Sequence, residues 1–124
     1  MRALLVDPSK DINDFITEIE IESWREITPT IGGPCRTFTT IATDLLGVNT
    51  GYVDDEGLMN GQANKVGMFA VKDYEGMIAG RCVVQGVNWD TGEPTECEMS
   101  VREAQSIFGY LTPMGPMFRA WSGE

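Results

Sequence analysis

A single α+β domain, a mainly antiparallel sheet carrying two short helices, is what this sequence predicts, and three stretches carry the prediction. Phe15 to Glu22 alternates strictly, with Phe15, Thr17, Ile19 and Ile21 on one face and Ile16, Glu18, Glu20 and Glu22 on the other. That period of two is the mark of a half-buried strand. Met77 to Val87 is the most apolar run, β-branched and bounded by glycines, and reads as a central strand. Ser100 followed by Glu103 has the spacing of a capping box and marks a helix start.

The remaining elements fall between these anchors. Ala3 to Val6, stopped by Asp7-Pro8, reads as a buried first strand that pairs with Phe15–Glu22 as a hairpin. Ser23 and Glu26 repeat the capping-box spacing and open a short helix with Trp24, Ile27 and Ile31 on one face. Pro29 disfavours a regular helix beyond its first turn, and Gly32-Gly33-Pro34 stops it. Thr37–Ala42 and Thr50–Val53 suit strands, with Asp44–Gly47 as a turn or strand start between them. Asp54-Asp55-Glu56-Gly57 closes the second of these, with Gly57 expected at positive φ. Leu58 to Lys65 reads as irregular or briefly helical, and Val66–Val71 as a strand before the turn Lys72–Gly76. Asn88–Pro94 is a hairpin loop and Thr95–Met99 its return strand. The last helix is expected to run from Ser100 to about Leu111, where Pro113 ends it. Residues 1–111 thus form the domain, and 112–124 an apolar tail.

Composition excludes more than it assigns. The chain has 124 residues, 42% of them hydrophobic, enough for one domain with a modest core. Nineteen acidic residues against nine basic ones give a net charge of −10, and the basic residues are scattered singly, so direct nucleic-acid binding is not expected. No apolar run reaches the roughly 18–20 residues that span a bilayer, and Met1 to Pro8 offers no signal-peptide core, so a cytoplasmic protein without membrane contact is expected. Cys35, Cys82 and Cys97 are odd in number and lack Cys-x-x-Cys spacing, which fits reduced thiols. With no histidine, the usual general base and the commonest metal ligand are missing, and no cofactor or metal is expected.

Four groups of residues remain as candidate sites. Asp54, Asp55 and Glu56 form the densest acidic patch, but adjacent strand residues point to opposite faces, so a catalytic carboxylate pair is disfavoured against an exposed turn or a partner-facing patch. Glu18, Glu20 and Glu22, with Glu96 and Glu98, form acidic stripes whose i, i+2 spacing of about 6.6–6.8 Å resembles that of successive phosphates. Such a surface suits a partner with a basic face, and an ordinary solvated face is the competing reading. In the tail, Met114, Met117, Phe118 and Trp121 fall on one helical stripe, which would pack on the domain, dock in a partner or make a homodimer contact. Nucleotide binding has no glycine-rich signature, and Arg36, Lys65 and Arg81 would be its available cations.

The pieces Met1-Arg-Ala-Leu-Leu-Val-Asp-Pro8, Tyr52-Val-Asp-Asp-Glu-Gly-Leu58, Asn64, Ile78-Ala-Gly80 with the strand to Gly86, and the helix from Ser100 resemble, in order, a family of short phage and mobile-plasmid proteins catalogued as a domain of unknown function. The likeness covers most of residues 1–111 and departs at Ile31–Leu46 and in the tail. It implies a phage or mobile-element source and transfers no catalytic residue. The expectation is therefore a non-enzymatic accessory protein that binds a host protein through its acidic surface and inhibits a defence or DNA-processing factor. A nucleotide-capturing sponge and a phage structural or assembly protein are the alternatives.

Overall fold

The computed structural model describes residues 1–41, 44–112 and 115–116; for Thr112, Gly115 and Pro116 the description is of the backbone. Ten strands among these residues form two antiparallel sheets. The first holds β1 (Arg2–Val6), β2 (Ile16–Glu20), β3 (Phe38–Thr40), β4 (Asn49–Asp54), β7 (Cys82–Val87) and β8 (Pro94–Thr95), in the order β2-β1-β7-β4-β3 with β8 alongside β7. The second holds β5 (Met68–Val71), β6 (Met77–Ala79), β9 (Phe108–Thr112) and β10 (Gly115–Pro116), in the order β10-β9-β5-β6. Three short helices, α1 (Ile27–Ile31), α2 (Gln62–Lys65) and α3 (Val101–Gln105), complete the α+β domain.

Alternation along the first sheet decides what lies on each side of it. Leu4 and Val6 on β1, Ile16 on β2, Val53 on β4 and Cys82 and Val84 on β7 face one way and pack against Phe69, Val71 and Phe108 of the second sheet and Ala104 of α3. Ala3, Ile21 and Val83 face the other way, against Ile27 and Ile31 of α1. The first sheet is the middle layer of three. Burying a large apolar side chain contributes about 1.5–3 kcal/mol, so Phe15, Phe69 and Phe108, all fully or nearly fully covered, are major contributors. Phe69 and Phe108 also meet edge to face, with ring centroids 5.7 Å apart.

Most expected elements form, and the exceptions have physical causes. The β1–β2 hairpin pairs Arg2 with Glu20 through Val6 with Ile16. Both capping boxes form, at Ser23–Glu26 and Ser100–Glu103. The first opens a 3-10 turn (Trp24–Glu26) that runs into α1, so Pro29 falls in the first turn of α1, where its absent N–H costs little. Trp24 leaves the expected apolar face and is exposed, while Ile27 and Ile31 are buried.

The run Met77–Val87 is two strands, not one. Gly80, at φ 97, turns the chain from β6 in the second sheet to β7 in the first. Periodicity cannot reveal such a switch, because both halves are apolar. The helix from Ser100 ends at Gln105 rather than near Leu111. Phe108 to Thr112 is strand β9, because the open side of β5 takes it: Phe69 pairs with Tyr110 and Val71 with Phe108. Of the expected return strand Thr95–Met99, only Thr95 is in a ladder, because the chain from Glu96 leaves β7 to cross above it. A Cβ on Gly86 would collide with the Glu96 carbonyl, which is why that crossing needs glycine.

Candidate partner-binding surface

The site begins with Asp54, the last residue of β4. Its carboxylate accepts hydrogen bonds from the Gln62 side-chain amide, the Asn60 side-chain amide and the Glu56 backbone N–H, each at 2.9 Å. Burial by itself raises this carboxyl's pKa, and the three donors, Gln62 first, outweigh it and hold the pKa below the ordinary 3.8. Asp54 is 6% exposed, so the expectation that it faces a partner is corrected: it ties the turn 55–60 to the Gly32-Gly33-Pro34 corner through Gln62 and Asn60. Asp55 and Glu56, one and two residues on, are exposed. The divergence read from strand geometry therefore holds.

Gly57 serves this turn in a way that differs from the expected positive φ, since it is not among the positive-φ glycines. A Cβ there would sit 2.7 Å from the Ala79 carbonyl oxygen. Its role is close approach: the turn presses against β6 and seats Leu58 and Met59 beyond it.

Between the two sheets, at the side where β3 and β6 are the outer strands, lies a groove of about 460 Å³. It is lined by Thr39, Ile41, Val53 and Ile78 together with Tyr74 and Met77, Leu58 and Met59, and the acidic pair Asp55 and Glu56. Leu58 and Met59 are 70% and 84% exposed, uncommon for large apolar side chains side by side. Among the described residues no lysine or arginine lines the groove. Sequence reasoning located Asp55 and Glu56 and missed the apolar residues beside them. The available signal was Leu58-Met59 itself, an apolar pair set inside a turn-rich stretch.

The second acidic group gathers at the opposite edge of the first sheet. Glu18 and Glu20 project from the same face of the edge strand β2, Glu22 follows it, and all three are exposed. Arg2 draws the second stripe to them: its guanidinium pairs with Glu18 and donates to the carbonyls of Cys97 (2.8 Å) and Met99 (2.7 Å), and its backbone N–H donates to Glu96 at 2.5 Å. The N-terminal ammonium sits 3.0 Å from Glu20 and 3.7 Å from Glu22. Glu98 is also exposed, its backbone N–H donating to the Asn49 side chain at 3.1 Å. Glu96 joins the β2 glutamates at one corner, where Arg2 and the ammonium already neutralise part of the charge, whereas the Glu98 backbone is bonded to Asn49 of β4, and both residues lie outside any strand.

Other candidates are absorbed by the fold. Arg81 pairs with the buried Asp7 at 3.0 Å and donates to the Ile31 carbonyl at 3.0 Å, so it is a structural cation, whereas Arg36 and Lys65 are exposed. Burial pushes the Cys35 thiol up to about 11, with the Asp54 charge adding to it, and raises Cys82 and Cys97 as well, so all three stay protonated at neutral pH. Among the described residues no group of three or more His, Cys, Asp or Glu is placed to hold a metal, and no helix is long and apolar enough to cross a membrane. Met114, Met117, Phe118 and Trp121 lie outside the described residues. Compared with family models, curated proteins and solved structures, the chain finds no match.

Proposed function

We propose that this chain is a non-enzymatic accessory protein of a phage or mobile element that binds a host protein presenting a basic surface and thereby inhibits a defence or DNA-processing factor. One observation carries the binding reading: in the groove exposed apolar side chains, Leu58, Met59, Tyr74 and Met77, adjoin the carboxylates Asp55 and Glu56, and among the described residues no cation lines it or pairs with them. Apolar surface supplies affinity, and the flanking charge selects a cationic partner and speeds encounter. The exposed glutamates Glu18, Glu20, Glu22, Glu96 and Glu98 extend the negative field, consistent with the net charge of −10. The phage or mobile-element source and the inhibitory consequence come from the sequence resemblance.

The nucleotide-sponge reading has no such support. A phosphate-binding cavity is favoured by convergent cations, and among the described residues neither this groove nor the neighbouring concavity lined by Tyr52 and Trp89 contains one.

Affinity purification from a host-cell lysate tests the proposal when the wild type is run beside Asp55→Lys/Glu56→Lys and Glu18→Lys/Glu20→Lys/Glu22→Lys. The expected result is a specific protein partner with a Lys/Arg-rich face, lost with the Asp55/Glu56 variant and weakened by added salt. Recovery of no specific partner, or of one that both variants retain undiminished, overturns it.

A further inference from the structure

We infer that the groove receives one extended strand of the partner, a segment with apolar side chains at alternate positions and a lysine or arginine at one end, which adds to the first sheet along β3. The inference rests on the partner-binding reading above and specifies how that site is filled.

The ladder between β3 and β4 sets the direction of every polar group on β3. Ile41 donates to the Gly51 carbonyl at 2.9 Å, Asp55 donates to the Thr37 carbonyl at 3.0 Å, and Thr39 stands opposite Val53. In an antiparallel pair the bonding residues alternate, so Thr37, Thr39 and Ile41 spend their backbone groups on β4. Phe38 and Thr40 therefore aim their N–H and C=O groups outward, and among the described residues β3 has no neighbour on that side.

Open edges are usually guarded against stray pairing, and the other edge of this sheet is guarded. β2 carries Glu18 and Glu20, and charge on an edge strand keeps other strands away. β3, Phe-Thr-Thr, carries no charge and no proline. On β6, the outer strand of the second sheet, Gly57 already lies against the Ala79 carbonyl, so the turn partly covers that edge. Of the two strands flanking the groove, β3 is the one left open among the described residues.

A strand laid along β3 would direct every second side chain to the face of Thr39 and Ile41, which line the groove together with Met59 and Met77. The acidic pair lies at a defined end: the Asp55 N–H is bonded to the Thr37 carbonyl, so Asp55 and Glu56 follow at the start of β3. The basic residue of the guest belongs at that end. A second copy of this chain fits less well, since each copy brings a net charge of −10 and the same carboxylates.

A selection from a random-peptide display library on the immobilised full chain provides the probe, followed by titration of the enriched peptide and amide hydrogen exchange of the complex. Expected are peptides with apolar residues at alternate positions next to Lys or Arg, and exchange at the Phe38 and Thr40 amides slowed by about ten-fold or more on binding. Thr40→Pro removes an outward N–H without touching the β4 ladder and should weaken the peptide about ten-fold. Peptides N-methylated at the amides that face β3 should weaken alike, which reads the same contact on the unaltered protein should the proline variant fail to fold. If Asp55→Lys/Glu56→Lys abolishes binding while Thr40→Pro, N-methylation and exchange at β3 all show no effect, the strand pairing is overturned and the partner-binding reading stands. If no peptide is enriched, if enriched peptides lack basic residues, or if protection of β3 depends on protein concentration alone, the inference is overturned.

Discussion

Replacing Asp54 by alanine probes the turn on which the groove depends. The carboxylate satisfies three donors, and the cost of deleting it follows from what each donor retains. Gln62, fully buried, keeps the Gly32 carbonyl at 3.2 Å, and Asn60 keeps only a long contact of 3.4 Å to the Pro34 carbonyl. The Glu56 N–H belongs to an exposed residue that water can reach. A buried donor left without its partner costs about 1–3 kcal/mol, and bonds to a charged acceptor lie at the upper end. With two side-chain donors weakened and one rescued by solvent, the loss should be about 2–4 kcal/mol. In a domain of this size that lowers Tm by roughly 10 °C.

The pH dependence supplies a separate check. The folded-state pKa of Asp54 is depressed, so its stabilisation is complete above the ordinary 3.8 and disappears as pH falls through the lower folded value. The stability difference between wild type and Asp54→Ala, measured by urea unfolding, should be full at pH 7 and shrink below about pH 4. A loss under about 1 kcal/mol at pH 7, or a difference that stays constant from pH 7 to pH 3, would refute the assignment of Asp54 as an ionised structural carboxylate.

Two further predictions concern neighbouring contacts. Gly57→Ala places a methyl 2.7 Å from the Ala79 carbonyl and should cost about 1–3 kcal/mol, read as a lower urea midpoint at unchanged m; an unchanged midpoint would mean the turn is not pressed against β6. Arg81→Met leaves the buried Asp7 without its cation and should cost about 3–5 kcal/mol in thermal or urea unfolding. A cost under about 1 kcal/mol would show that Asp7 is sustained by Ser9 alone.

Local chemistry was legible wherever one residue and its near neighbours suffice. The two capping boxes, the β1–β2 hairpin, the Gly32 stop and the Asn88–Pro94 loop follow from hydrogen-bonding groups a few residues apart. So did the exposure of Asp55, Glu56 and the glutamates of β2. Contacts between distant segments were not legible. Whether Phe108–Thr112 continued α3 or became β9 depended on the vacant side of β5, nearly forty residues earlier in the chain. Whether Met77–Val87 was one strand or two depended on two sheets competing for its halves. Asp54 looked like surface because its captors, Gln62 and the Gly32–Pro34 corner, meet it only after folding. The groove is of the same kind. Leu58, Met59 and Met77 are ordinary apolar residues in the sequence, and they line one cleft only because Gly57 brings the turn against β6. Charge and capping are properties of residues and their immediate neighbours, whereas a cleft is a property of which surfaces remain uncovered once every sheet edge and helix has found its place.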